Sequence, residues 1–241
     1  TAQETWSDFT QFLQEAWLVL IFLLIVLMGI WWYADPPPPR HVVMATGSPG
    51  GSYEVLGKQY AEFFAKKGVT LELKPTNGAQ ENLRRLSDRN DLVQAAFVQA
   101  GVAHPKNVTG IQTLGAIGYD PIWFFYRGPE LNVSDFEVAQ GKSKFFAGRK
   151  VSVGVEGSGT YAQAMNLLRV TGLDRGGLQL VNLPGELAVS SLKKGDIDAA
   201  FIVDAYEAPN VQTLLSDPSM RLVTFRRADA IAKMIPYFQI L

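Results

Sequence analysis

From Ala16 to Tyr33 the chain reads AWLVLIFLLIVLMGIWWY, eighteen residues without a charge and with Trp or Tyr near both ends. About 17 to 25 apolar residues span the bilayer core as a helix, and Trp and Tyr favour its interfaces, so the run is read as a transmembrane helix over 16–34. A cleaved signal peptide would want a basic leader and a small-x-small site, but the leader is acidic and Trp32-Tyr33-Ala34 is a poor match. A buried soluble helix is seldom this long and this apolar all round. The flanks hold no Lys or Arg before Arg40, so the positive-inside rule gives no support to an N-inside arrangement. Ahead of the span, residues 1–15 read as an amphipathic leader, with Phe9, Phe12, Leu13 and Ala16 on one helical face.

Pro36-Pro37-Pro38-Pro39 cannot continue a helix and favours stiff polyproline structure, which makes 35–40 a linker and places a domain boundary there. Beyond it, turn signals and short apolar runs alternate with helical patterns, the signature of an α/β architecture with a largely parallel sheet. The expected strands lie near 41–46, 69–74, 92–98, 111–117, 121–127, 150–155, 178–182, 197–203 and 221–225. The expected helices lie near 52–67, 79–88, 159–171 and 185–194. In the first helix Val55, Leu56, Tyr60, Phe63 and Phe64 are spaced for one buried face. The stretch 128–149, with Lys142, Lys144, Arg149 and Lys150, reads as a solvated basic loop.

Two strand-to-helix corners repeat one design. Val42-Val43-Met44-Ala45 leads into Gly47-Ser48-Pro49-Gly50-Gly51-Ser52-Tyr53, and Val151-Ser152-Val153 leads into Gly154-Val155-Glu156-Gly157-Ser158-Gly159-Thr160. Glycines permit tight turns and close approach, and the first N–H groups of a helix lack internal partners and attract anions. The halves also end alike, in Asp91–Val98 and Asp196–Val203.

Enzyme templates fail. The sequence around Ser158 lacks the nucleophile-elbow glycine at Glu156, no Gly-Lys-Ser/Thr follows the glycines, and the dinucleotide spacing is not met. With two histidines and no cysteine, a transition-metal site has few ligands available; His41 and His104 both read as surface residues, and no cofactor is expected. The 22 basic and 23 acidic residues form no concentrated basic face for nucleic acid.

What recurs at the strand ends is polar and uncharged: Ser48, Gly51, Ser52 and Tyr53; Thr76, Asn77 and Asn82; Gln99; Ser158, Gly159 and Thr160. Asp204 follows a strand and is placed to join them. In open α/β sheets ligands sit beyond the carboxyl ends of strands, so these twelve are the candidate ligand-binding set. Each also has a structural reading, with Ser52 and Ser158 as N-caps and Asn77-Gly78 as a tight turn. Asp91, Asp196 and Asp120 read as ends of connections.

Ala45–Tyr53, Pro75–Leu86, Gly154–Thr160 and Gly195–Phe201, in that order, resemble the solute-binding subunits of TRAP transporters in their TAXI class, and the anchor with its proline-rich stalk resembles the membrane-tethered branch. That resemblance implies a periplasmic-binding-protein-like fold of two α/β lobes with an interlobe cleft, preceded here by the transmembrane helix. Lobe 1 would take 41–122, lobe 2 would take 123–226, and 227–241 would begin a return to lobe 1. The lobes would close on a small organic anion, a carboxylate or amino acid such as glutamate or 2-oxoglutarate, for a sodium-coupled permease. Ala79 stands where the family often has Ser, and Val155 where it often has Pro; family members also continue past the counterpart of Tyr237-Phe238, so the chain is expected to be incomplete. The resulting expectation is a single-pass membrane protein whose soluble domain lies in the periplasm or extracytoplasmic space. Its partners would be membrane lipid through 16–34, a small organic anion and permease subunits. The rival is an accessory subunit of a larger membrane complex that reuses the fold.

Overall fold

The computed structural model describes residues 2–34, 38–103, 108, 110–136, 138–139, 142–175, 177–225, 227–235 and 237–239. His104 therefore lies outside the described residues. The chain forms two units, Thr1–Arg40 and His41–Leu241.

The first unit is one helix, α1 (Ala2–Ala34). Its segment Ala16–Ala34 has a mean hydropathy of 2.4 and is long and apolar enough to cross a membrane. Trp17, Phe22, Leu24, Trp31 and Trp32 are all exposed, so this segment buries none of its large apolar surface within its own unit.

Among the described residues the second unit contains a three-stranded sheet, a five-stranded sheet and an antiparallel pair of β5 (Val138–Ala139) and β6 (Lys142–Ser143). In the smaller, β1 (His41–Ala45) lies between β2 (Thr70–Lys74) and β3 (Ala95–Ala96), all parallel, with Met44 opposite Leu73 on one side and Ala95 on the other. Helices α2 (Ser52–Ala65) and α3 (Ala79–Ser87) make the crossovers. In the larger sheet the order is β10 (Met220–Leu222), β4 (Ile122–Arg127), β9 (Ala199–Val203), β7 (Lys150–Ser152) and β8 (Gln179–Val181). β7 runs parallel to β8 and β9, whereas β4 is antiparallel to β9 and β10. Helices α4 (Gly159–Thr171), α5 (Gly185–Lys194) and α6 (Pro209–Leu215) follow β7, β8 and β9, and α7 (Ala228–Met234) follows β10.

Alternation of side chains explains why β4 from Ile122 to Tyr126 and the whole of β9 carry no charged residue. Phe124, Tyr126, Ala199 and Phe201 join one buried cluster with Leu167 and Leu168 of α4, while Phe125, Ala200 and Ile202 join a second with Leu192 of α5 and Leu214 of α6. Successive strand residues face opposite sides, so a sheet covered on both faces must be apolar at every position.

Several expectations are corrected. Residues 128–149 are no solvated loop: Phe136, Phe145 and Phe146 are buried and contact Phe124 and Tyr126. The charges there dominate the sequence pattern, but three aromatic rings decide the packing. The strand expected over 92–98 shrinks to two residues, because Gln94 takes the Val43 N–H with its side-chain Oε1 at 3.2 Å where a ladder would use a backbone carbonyl. Residues 111–117 form no strand; they are largely exposed and pair with no neighbour among the described residues. In α2 Leu56 and Tyr60 are half-buried, Tyr60 stacking on Phe97, but Val55, Phe63 and Phe64 are exposed, and the helix comes close to the sheet at Gly57, where an added Cβ would lie 2.7 Å from Thr46 Cγ2. Helices α6 and α7 had no counterpart in the sequence expectations.

Candidate functional site

Both corners form as strand, turn and helix. After β1, Gly50 adopts φ +75°, its N–H donates to Glu54 Oε2 at 2.9 Å, and Gly51 is the N-cap of α2. After β7, Gly154 and Gly157 take φ +82° and +86°, conformations that favour glycine. Ser158 then caps α4, its Oγ accepting from Tyr161 N–H at 3.0 Å. Ser52 therefore sits one position inside its helix, whereas Ser158 is the N-cap.

The corners share one cleft, with a cavity volume of about 70 Å³. Of the twelve expected residues, Ser48, Gly51, Ser52, Tyr53, Asn77, Gln99, Ser158, Gly159, Thr160 and Asp204 line it. The cleft is bridged directly: Glu81 N–H at the start of α3 donates to Gly157 O at 2.9 Å, and Asn210 N–H donates to Gly50 O at 3.3 Å. Gln99 sits against Gly159, where any Cβ would collide with its Oε1.

Thr76 and Asn82 do not line the cleft. Asn82 is fully buried beneath it; its amide nitrogen donates to Thr46 O at 2.6 Å and Phe97 O at 2.8 Å, and its Oδ1 accepts from Thr76 Oγ1 at 2.5 Å. Thr76 also contacts Thr46 O, at 3.3 Å. This bracket joins the chain just past the ends of β1, β2 and β3, so its polar groups are consumed in holding the small sheet together. Thr160 also has a structural bond, accepting from Val203 N–H at 3.3 Å.

Two carboxylates converge from outside the glycine corners. Asp204, just after β9, accepts from Ser52 N–H at 2.9 and 3.2 Å and from Ala205 N–H at 3.0 Å. Trp123 Nε1 holds the Asp204 carbonyl at 2.9 Å. Asp120, which sequence reasoning left as the end of a connection, accepts from Tyr53 Oη at 2.9 Å and Gln99 Nε2 at 3.0 Å. Burial raises the Asp204 carboxyl above its ordinary value against the pull of hydrogen bonds from Ser52 and Ala205, and the Asp120 charge adds to the rise. Burial and the neighbouring Asp120 charge likewise push the Tyr53 hydroxyl far up, so it remains a neutral donor. Asp204 is the one charged residue among the lining residues, which include no Lys or Arg.

Asn210 was also missed; its side chain lies within 3 Å of where Cβ atoms on Gly50 and Gly185 would stand. The only sequence signal was Pro209, suited to the first turn of a helix. Among the described residues no group of three His, Asp or Glu could hold a metal ion, and His41 is an exposed partner of Glu72 at 3.1 Å.

A family model described as NMT1-like matches residues 44–241. An ABC uptake transporter substrate-binding protein from Streptococcus pneumoniae, with bound histidine, is similar over 78% of this chain and 75% of its own, at 13% identity and a TM-score of 0.50. A protein of Bordetella bronchiseptica RB50 is 19% identical over 81% of this chain and 60% of its own, with a TM-score of 0.50. The periplasmic aliphatic sulphonate binding protein from Escherichia coli is 16% identical over 78% of this chain, with a TM-score of 0.45, and this chain spans 57% of its length. No curated protein is matched. At these identities the likeness concerns the fold, a mixed α/β arrangement matching periplasmic binding proteins.

Proposed function

This chain belongs to the NMT1-like family, and from that premise we propose that it is a membrane-tethered, extracytoplasmic solute-binding protein that captures a small organic anion, a carboxylate or amino acid, for a TRAP-type transporter. It is a binding protein rather than an enzyme. The observation that carries the reading is the meeting of the two glycine-serine corners, from separate sheets, at one cleft where neutral polar groups and backbone stand beside apolar side chains such as Leu183, Phe201 and Ile202. Such a lining suits reversible capture, because hydrogen bonds and helix N-termini can hold a polar solute without reacting with it. Lobes over 41–122 and 123–226 would open and close on the solute, with the backbone near 119–127 and 225–228 absorbing the hinge motion. Helix α1 would tether the soluble unit, with residues 16–34 in lipid.

The test is calorimetric titration of the full chain in detergent micelles with a panel of dicarboxylates and amino acids. Saturable binding of one class is expected; silence across the panel from a folded sample defeats the reading. One observation favours the rival role as an accessory subunit of a larger membrane complex. The cleft is small and already bridged by Asp204, Glu81 and Asn210, as it would be in a subunit that keeps the fold for assembly. Co-purification of the intact chain with membrane subunits other than a TRAP permease would support that role.

A further inference from the structure

Asp204 sits at the N-terminus of α2, a position suited to an anion. Ser52 opens α2, a helix of 14 residues whose first N–H groups have no partner within it and carry its positive end. The Ser52 N–H already points between both Asp204 oxygens, at 2.9 and 3.2 Å, across 152 residues of sequence and from one sheet to the other. We propose that Asp204 is an internal latch: its carboxylate caps α2 from the large sheet and holds the empty cleft shut, and an anionic solute must displace it to reach the Ser52 amide. The displacement half rests on the solute-binding reading above; the latch itself rests on the contact.

Three observations distinguish a latch from an ordinary cap. First, the contact joins the two sheets at the cleft, whereas the Ser158 cap of α4 is local. Second, it works with neighbours that also cross between the sheets. Tyr53 and Gln99 both donate to Asp120 beside β4, and Gln99 reaches on to the Val203 carbonyl at 3.3 Å. Third, the carboxylate has no counter-cation among the lining residues. The groups facing Asp204 are the Ser52 and Ala205 donors, the neutral Tyr53 hydroxyl and the second carboxylate of Asp120, with no cation among the cleft residues. A static cap would hold equally well as Asn or Ser, at lower desolvation cost. A charged group on the helix terminus instead competes with a solute carboxylate for the same donor and repels it while in place, so Asp204 sets both closure and specificity.

The latch is tested on the full chain in detergent micelles by amide hydrogen exchange without solute. Removing a charged acceptor in Asp204→Ala should speed exchange at Ser52 by about tenfold while Tyr161, under its own cap, stays unchanged. Asp204→Asn, which keeps the size and one acceptor, should fall between the two, and far-UV circular dichroism checks the fold of both variants. Unchanged exchange at Ser52 overturns the latch whether or not any solute binds. Titration with glutamate and succinate then tests displacement: Asp204→Ala should bind at least one of them about tenfold more tightly than the unaltered chain. Equal or weaker binding in the variant overturns displacement. Faster exchange at Ser52 with no binding by either protein supports the latch and counts instead against the solute-binding reading.

Discussion

In β9 every residue from Ala199 to Val203 is buried, whereas in β2 no residue from Thr70 to Lys74 is. The two sheets rest on different forces. Around the large sheet, two apolar clusters fill both faces, with Phe124 and Phe201 stacked at 3.7 Å between ring centroids. The small sheet buries a cluster of only Val43, Ala45 and Val93, and its strand ends are gathered by the Asn82 bracket. A sheet held by area can lose one contact gradually. A sheet held by a buried polar bracket fails when one partner is removed, because the remaining groups stay unpaired and out of water. The thinly packed partner is also the one whose helix terminus takes Asp204, so the segments that solute binding would move lie on the less buried side.

Four measurements test the difference between the two sheets. Phe146→Ala should have the largest effect, about 3–5 kcal/mol lost in urea unfolding, since a fully buried ring stacked on Phe124 leaves a cavity. A loss below about 1 kcal/mol would return 128–149 to the solvated loop its charges suggest and weaken the account of the large core. Asn82→Ala comes next, at about 2–3 kcal/mol, because it orphans the Phe97 carbonyl and takes one of two donors from the Thr46 carbonyl. Hydrogen exchange should show β1 opening while β9 stays protected; uniform loss of protection would mean the sheets unfold as one.

Gly57→Ala should cost about 1 kcal/mol, as the clash with buried Thr46 outweighs the gain in helix propensity. A stabilised variant would show that α2 rides loosely over the small sheet. The smallest effect is a slope with pH. Asp204 has a raised carboxyl pKa, so between the ordinary and the raised value the folded protein holds a proton that the unfolded chain has released. Its contribution is complete below the ordinary Asp range and lost as pH rises through the raised value. Relative to Asp204→Asn, the unaltered chain should therefore lose stability with rising pH across that window, as read from unfolding midpoints in a pH series. Glu54 and Glu81, on the helices of the small sheet, run the other way. Hydrogen bonds from Lys58 and Gly50 lower Glu54. At Glu81 burial pulls upward, but bonds from Asn77 and Arg85 leave the carboxyl lowered. A slope unaltered by Asp204→Asn would assign the pH response to other groups.

Much of the architecture was legible because the signals were local. Helices α4 and α5 fall at the expected 159–171 and 185–194, each bounded by a glycine with positive φ at its C-terminal end. Apolar periodicity found most strands of both sheets. It misjudged part of α2, where Val55, Phe63 and Phe64 are exposed and the close approach falls at a glycine, because close approach of backbones leaves no apolar signature. Ten of the twelve expected cleft residues line the cleft, but Asn82 and Thr76 show the limit of reading polar residues at strand ends as ligand contacts. A buried amide serves three backbone segments as readily as it serves a solute.

The sequence alone determined the apolar helix over 16–34, the order of most strands and of helices α2 to α5, and the two glycine corners, since propensity, capping and turn geometry act within a turn or two of chain. Tertiary structure alone decided what meets at the α2 terminus. Asp120 looks like an ordinary connection residue, and Asp204 is a candidate without a named partner, until β4 and β9 pair and bring them beside Tyr53, Gln99 and Ser52. A hydrogen bond between residues 152 positions apart leaves no local pattern, because only the folded sheets bring donor and acceptor together.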